Sequence, residues 1–261
     1  MSSRVAVVTG AASGIGRAAA EVLAQQGGRV VAVDLDAKGL EWAAGDERFA
    51  LVAGDVCAPD TNAAMVAAAT ERFGRLDAVV LNAGVAVIGD LIGLPMETFD
   101  RAIDVNLRSV VLGIRAAVPV MRAQGIGGRI VVTASTSGIG GDPLLWAYNT
   151  AKGGVVNLVR ATALDLAADG ITVNAVCPGP TETGMTEAMR SHREVYESLR
   201  TAIPLQRWGR PEEVAAVIAF LASPASSFVT GAVIPVDGGI TASTGQFRPR
   251  PLPVGEQGEP V

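Results

Sequence analysis

Apolar residues in this chain come in short unbroken runs, each ending in a turn or at the start of an amphipathic stretch. RVAVVT (4–9), GRVVAVD (28–34), FALVAGD (49–55), LDAVVLN (76–82), GRIVVTAS (128–135), ITVNAVC (171–177) and AVIPVD (232–237) read as strands. They are rich in β-branched residues and lack polar alternation, so both faces of the sheet are covered, as in a parallel sheet. Helical patterns fall between them over about 14–26, 37–44, 60–73, 96–123, 147–168 and 211–222. The alternation predicts an α/β fold, a doubly wound parallel sheet of about seven strands with helices on both faces. Pro119 lies inside one helical pattern and predicts a kink or break there.

Residues 1–244 show no linker or composition break and read as a single domain. GQFRPRPLPVGEQGEPV (245–261) keeps no core-forming period, so a disordered or extended tail is expected, with packing on a neighbouring subunit as the alternative.

Composition narrows the chemistry. Nearly half of the 261 residues are hydrophobic and only 4% aromatic, which suits close-packed helices on a sheet. A net charge of −5 and the lack of a long basic run argue against a nucleic-acid partner. No apolar run reaches the roughly 20 residues of a membrane span, and MSSRVAVVTG lacks a signal-peptide cleavage region. Two cysteines, Cys57 and Cys177, are too few for a disulfide framework, so a reduced, cytoplasmic setting is expected. His192 is the single histidine, which leaves little material for a histidine-based triad or a bound metal.

TGAASGIG (9–16) follows the first strand and opens a helix. Glycines at 10, 14 and 16 let a pyrophosphate approach the backbone at a helix N-terminus, in the manner of a Rossmann-type dinucleotide site. The spacing is not that of a nucleotide triphosphatase loop, and no lysine follows. Tight packing alone also explains such a turn. Asp34 ends the second strand, 18 residues beyond Gly16, where a carboxylate accepts hydrogen bonds from ribose hydroxyls and repels a 2′-phosphate. Leu35 and Asp36 follow it and Ser13 adds no cation to the turn, so NAD is expected over NADP. An ordinary strand-end cap is the alternative role for Asp34. In WAYNTAKGG (146–154), Tyr148 and Lys152 stand one helical turn apart, either as a solvated face or as a proton donor tuned by a nearby cation.

These marks occur together with DV (55–56), NAG (82–84), Asn106, Ser135 thirteen residues before Tyr148, and PGPTET (178–183). In order and spacing the chain resembles the short-chain dehydrogenase/reductase family, in its single-domain branch, over residues 4–240. Two departures are small: Ala134 where a serine is common, and Gly154 where alanine often stands. The resemblance implies Tyr148 as general acid/base, its pKa lowered by Lys152, with Ser135 bonding the substrate oxygen and Asn106 holding a water in a proton relay. Asn106 as a helix-interior packing amide is the alternative. For NAD, the resemblance implies Gly10, Ser13, Gly14, Ile15 and Gly16 at the pyrophosphate and Asp34 at the ribose. Asp55 and Val56 would flank the adenine, with Asn82, Ala83 and Gly84 beside the adenosine and ribose. Tyr148 and Lys152 would meet the nicotinamide ribose, and Pro178, Gly179, Thr181 and Thr183 would seat the carboxamide.

The implied activity is hydride transfer between a nicotinamide and a secondary alcohol or ketone, cyclic, aromatic or polyol-like. Ser137, Leu145, Trp146, Met185 and Met189 would line the substrate pocket within a lid segment and its neighbours. Arg190, His192 and Arg193 are either solvated or positioned to meet a carboxylate or sugar. A 3-oxoacyl-[acyl-carrier-protein] reductase is the alternative; Arg129 offers a basic dock, but Asp169 stands where a second arginine is common. A non-catalytic nucleotide-binding scaffold is the remote one. Relatives in the family are usually homotetramers built on the long helices, where Ala116, Ala117, Ala161 and Ala163 permit close contact.

Overall fold

The computed structural model describes residues 4–244, so the expected tail at 245–261 lies outside the described residues. Seven strands form one parallel sheet: β1 (Val5–Thr9), β2 (Arg29–Asp34), β3 (Phe49–Ala53), β4 (Ala78–Leu81), β5 (Gly128–Thr133), β6 (Ile171–Pro178) and β7 (Val233–Val236). Their order is β3-β2-β1-β4-β5-β6-β7, so the winding reverses between β1 and β4. A crevice opens at the carboxyl ends of the strands at such a switch point.

The helices follow from the same pattern. They are α1 (Gly14–Gln25), α2 (Pro59–Phe73), α3 (Met96–Ile103), α4 (Ser109–Gln124), α5 (Trp146–Leu166), α6 (Glu187–Ser191), α7 (Arg193–Ala202) and α8 (Pro211–Leu221). Successive strand residues point to opposite faces, and in β1 Val5 and Val7 enter one core while Ala6 and Val8 enter the other. α2, α4 and α5 cover the first core; α1 and α8 cover the second. No helix among the described residues is long and apolar enough to cross a membrane.

Three elements depart from the sequence pattern. The stretch expected as a helix at 37–44 is a short 3₁₀ segment, Lys38–Ala43, started by the Asp36 carboxylate accepting the Lys38 amide at 3.1 Å. The helix expected over 96–123 is α3 and α4 joined by a π-helical turn at Asp104–Arg108. Pro119 does not break it: α4 runs on to Gln124, since proline's fixed φ suits a helix and only one amide donor is lost. Finally, α6 and α7 occupy a charged segment for which the sequence pattern gave no helix. α7 is anchored through Tyr196, whose ring stacks on buried Trp208 at 5.4 Å while its carbonyl accepts the Trp208 indole N–H.

Close contact between β1 and α1 depends on Gly16. A Cβ there would lie 2.0 Å from the Gly10 carbonyl oxygen and 2.6 Å from Asn82 Nδ2. Both obstacles are fixed groups, so α1 would have to lift off the sheet. Gly16→Ala is expected to lower unfolding stability by about 3 kcal/mol, read as a fall in the urea midpoint without a change in slope.

Candidate active site

The carboxyl edge is tied together by side chains. Thr9 Oγ1 accepts the amides of Asn82 (2.9 Å) and Ala83 (3.1 Å), and Asn82 Nδ2 donates to the Thr9 carbonyl at 3.1 Å. Asn82 Oδ1 in turn accepts the Thr133 hydroxyl at 3.0 Å. Asn82 thus bridges the ends of β1 and β5 across the switch point.

Gly10 and Gly14 of the expected pyrophosphate turn hold φ of +70° and +53°, backbone that a side chain would strain. No side chain caps the first amides of α1, whose N-cap Ser13 is extended and exposed. Such a helix end is a receptor for an anion. The Ile15 side chain packs into the second core, which leaves its backbone to face the turn. Asp34 Oδ2 accepts the Ala12 amide and Oδ1 the Asp36 amide, both at 3.0 Å. The carboxylate therefore braces the turn as a strand-end cap at the expected ribose position. Asp55 accepts the Cys57 amide at 2.9 Å, which holds its carboxyl below the usual range, and Arg101 stands 3.4 Å away. Val56 is buried beside it, its carbonyl bonded to Asn62 Nδ2.

Ser135 leaves β5 in extended conformation and is buried. Tyr148 and Lys152 sit on the first turns of α5, directly across from it. Lys152 is 3% exposed; its ammonium donates to the Thr133 carbonyl at 2.8 Å and lies 5.7 Å from the Tyr148 ring centroid. A Cβ on Gly84 would come within 3.6 Å of the same nitrogen. The three residues converge as the resemblance implied, but burial works against the lowered Tyr148 pKa. Burial raises the Tyr148 pKa, the hydrogen bond with Ser135 pulls it back, and the Asp142 charge adds to the rise. Burial also pushes Lys152 down to about 8.

Asn106, in the π-helical turn, is fully buried. Its Nδ2 donates to the carbonyls of Val85 and Ala102 at 3.0 Å, and its Oδ1 accepts the Val85 amide at 3.1 Å. The side chain clamps the loop after β4, and Gly84 has no room for a Cβ beside Oδ1. Gly154 gives space to Leu107 of the same turn. Pro178 closes β6, Gly179 abuts Asp237, and buried Thr181 donates to the Gly179 carbonyl at 2.9 Å. Thr183 packs over Gly14, joining this loop to the glycine turn.

The expected substrate residues are less uniform. Ser137 is buried and bonded to Asp142. Leu145 and Met189 are half-buried, and Met185 is exposed. Trp146 stacks on Phe99 of α3 at 5.2 Å, and its buried indole N–H has no partner among the described residues. Arg190 pairs with Glu187 and faces an open cleft of about 430 Å³ lined by Gly14, Arg17 and Thr183, whereas Tyr148 does not line it. His192 and Arg193 are exposed. No pattern in the sequence pointed to Thr9, Thr133 or Asp142, because their contacts rest on carbonyls and loop geometry.

A family model described as enoyl-(acyl carrier protein) reductase matches residues 10–241. The chain belongs to the short-chain dehydrogenase/reductase family. Its members are nicotinamide-dependent oxidoreductases, and the cradle of glycines around Lys152 and α1 fits such a group. The chain is 41% identical to 2-(R)-hydroxypropyl-CoM dehydrogenase of Xanthobacter autotrophicus, covering 92% of this chain and 99% of that one. It is 40% identical to meso-2,3-butanediol dehydrogenase of Serratia marcescens, with coverage of 94% and 97%. The crystal structure of a levodione reductase superposes with a TM-score of 0.87 at 37% identity, covering 92% of this chain and 98% of that one.

The buried lysine has a thermodynamic signature. Its pKa falls from 10.5 to about 8 on folding, so below pH 8 the folded chain carries the whole cost of a buried ammonium. As pH rises from 8 to 10.5 the unfolded chain binds the extra proton and the cost is relieved. Lys152→Met is expected to be more stable than wild type at pH 7 by up to about 3 kcal/mol, with the gap closing toward pH 10.5, as read from urea midpoints across pH.

Proposed function

We propose that the chain catalyses reversible, NAD-dependent hydride transfer between a secondary alcohol and its ketone. The observation that carries this reading is the convergence of Ser135, Tyr148 and Lys152 at the carboxyl edge of the sheet, beside the Thr133–Asn82–Thr9 bridge to the glycine turn. Gly10, Ser13, Gly14, Ile15 and Gly16 would hold the pyrophosphate and Asp34 the adenosine ribose. Asp55, Val56, Asn82, Ala83 and Gly84 would hold the adenosine side, and Lys152 with Pro178, Gly179, Thr181 and Thr183 the nicotinamide side. The nicotinamide, when bound, supplies the hydride acceptor or donor.

In oxidation, the Tyr148 phenolate takes the hydroxyl proton of the alcohol, and Ser135 donates a hydrogen bond to the same oxygen as the carbonyl forms. Reduction returns the proton to the new alkoxide. Lys152 orients the ribose and favours the phenolate, against the burial that disfavours it. Asn106 fixes the loop at 84–85 and would stand next to a water leading to Lys152. A secondary alcohol is favoured because Leu145, Trp146, Met185 and Met189 give the approach an apolar character.

An acyl-carrier-protein substrate is the second reading, prompted by the description of the matching family model. Against it, Arg129 donates to the carbonyls of Ser223 and Gly128, and Asp169 is paired with Arg122, so neither adds to a basic dock. A non-catalytic scaffold is disfavoured because all four expected catalytic side chains are present. The proposal also includes a cytoplasmic setting and a homotetramer, which light scattering checks by mass. Exposed Leu164 on α5 and fully exposed Phe228 offer apolar surface for such contacts.

Two substitutions test the core of the reading. Tyr148→Phe should lower kcat by about a thousandfold, followed as absorbance at 340 nm, with NADH affinity within about twofold of wild type. Retention of most activity would refute the assignment. Asp34→Ser should weaken NAD and admit NADP, moving the ratio of kcat/KM between them by about tenfold or more; an unchanged ratio removes Asp34 as the selector.

A further inference from the structure

Ser137 faces two ways. Its amide donates to the Ser135 hydroxyl oxygen at 3.1 Å, and its own hydroxyl donates to Asp142 Oδ2 at 2.5 Å. Asp142 stands six residues before Tyr148 in a loop pinned by main-chain bonds. Its carbonyl accepts the Leu145 amide at 3.3 Å and the Asn149 side-chain amide at 3.0 Å, while the next residues are tied to Gly89 through the Leu144 carbonyl at 2.9 Å. The carboxylate is therefore held beside Ser135 by a bond to a buried hydroxyl. Its charge reaches the Tyr148 hydroxyl and opposes the phenolate. Among the described residues no lysine or arginine lies within 4 Å of it, and Oδ1 carries no hydrogen bond.

We propose that Asp142 is a specificity residue that rejects anionic substrates and accepts a hydrogen bond from a second hydroxyl, so that the substrate is a neutral vicinal diol or polyol and the product its hydroxyketone. Asp142 is exposed, yet two like charges brought close together near a protein surface still repel more than in bulk water. A hydroxyl placed at Oδ1 instead makes a charge-assisted hydrogen bond. The preference is therefore a matter of charge and not of size, which separates it from selection by Leu145 or Met189. It rests on the hydride-transfer reading and narrows its substrate class.

Two pairs of alcohols that differ in charge test it: 2,3-butanediol against 3-hydroxybutyrate, and cyclohexane-1,2-diol against 2-hydroxycyclohexanecarboxylate, each with NAD+ at 340 nm. The wild type should favour the diol in kcat/KM by about tenfold or more. Asp142→Asn should narrow that ratio by about tenfold, mainly through a lower KM for the acid, while Asp142→Glu keeps it. The rising, acid-side limb of the pH profile for oxidation should move to lower pH in Asp142→Asn, because a charge opposing the phenolate is gone. Lys152 on α5 and Cys177 on β6, the other titratable groups at Tyr148, are unchanged by the substitution. An unchanged diol-to-acid ratio in Asp142→Asn that still binds NADH, or a wild type that prefers the acids, overturns the inference and leaves hydride transfer standing. No turnover of any of the four alcohols, or an active Tyr148→Phe, strikes the hydride-transfer reading itself, and this inference falls with it.

Discussion

Lys152 resting on the carbonyl of Thr133 is the contact from which the rest of the edge is organised. One residue serves two partners: the Thr133 carbonyl receives the ammonium, and its hydroxyl reaches Asn82, which grips Thr9 at the start of the glycine turn. A cation removed from water needs a fixed dipole near it, and the last residue of a central strand provides one that cannot rotate away. Lys152 and Asn82, which we propose serve proton transfer and the cofactor, are thereby joined through two hydrogen bonds. Displacing Thr133 by a fraction of an ångström would disturb both.

The opposed pKa directions of Tyr148 and Lys152 share a cause. Each group is pushed toward its neutral form by burial, the tyrosine upward and the lysine downward. A site that is costly to charge is also one in which each remaining charge acts strongly.

Much of the framework was legible because it depends on local rules. Continuous β-branched runs mark buried parallel strands, and Gly10, Gly14 and Gly16 mark backbone that allows no side chain, as their geometry bears out. Ser135, Tyr148 and Lys152 could be placed together because strand ends and helix starts meet at one edge of such a sheet. What escaped the pattern depends on contacts distant in sequence. The tuning of Tyr148 is decided by burial and by Asp142, neither of which follows from its spacing to Lys152. α7 is secured by Trp208, and Gly154 by Leu107, partners with no local signature. Pro119 misled because a proline's cost falls on one hydrogen bond, which the packing of α4 into the first core outweighs.

The π-helical turn at Asp104–Arg108 works as a phase shifter in a helix that would otherwise run straight through. Each residue of an α-helix advances its side chains by about 100°, so one extra residue in a turn re-aims everything upstream relative to everything downstream. α4 can then present Val110, Ile114 and Ala117 to the sheet while α3, on the other side of the turn, offers Phe99 to Trp146. Regularising the turn by one residue would leave the core face of α4 intact and rotate Phe99 off the indole. The Phe99–Trp146 stack and the floor of the hydrophobic core are thus set independently within one continuous helical rod, and the first can vary without redesign of the second.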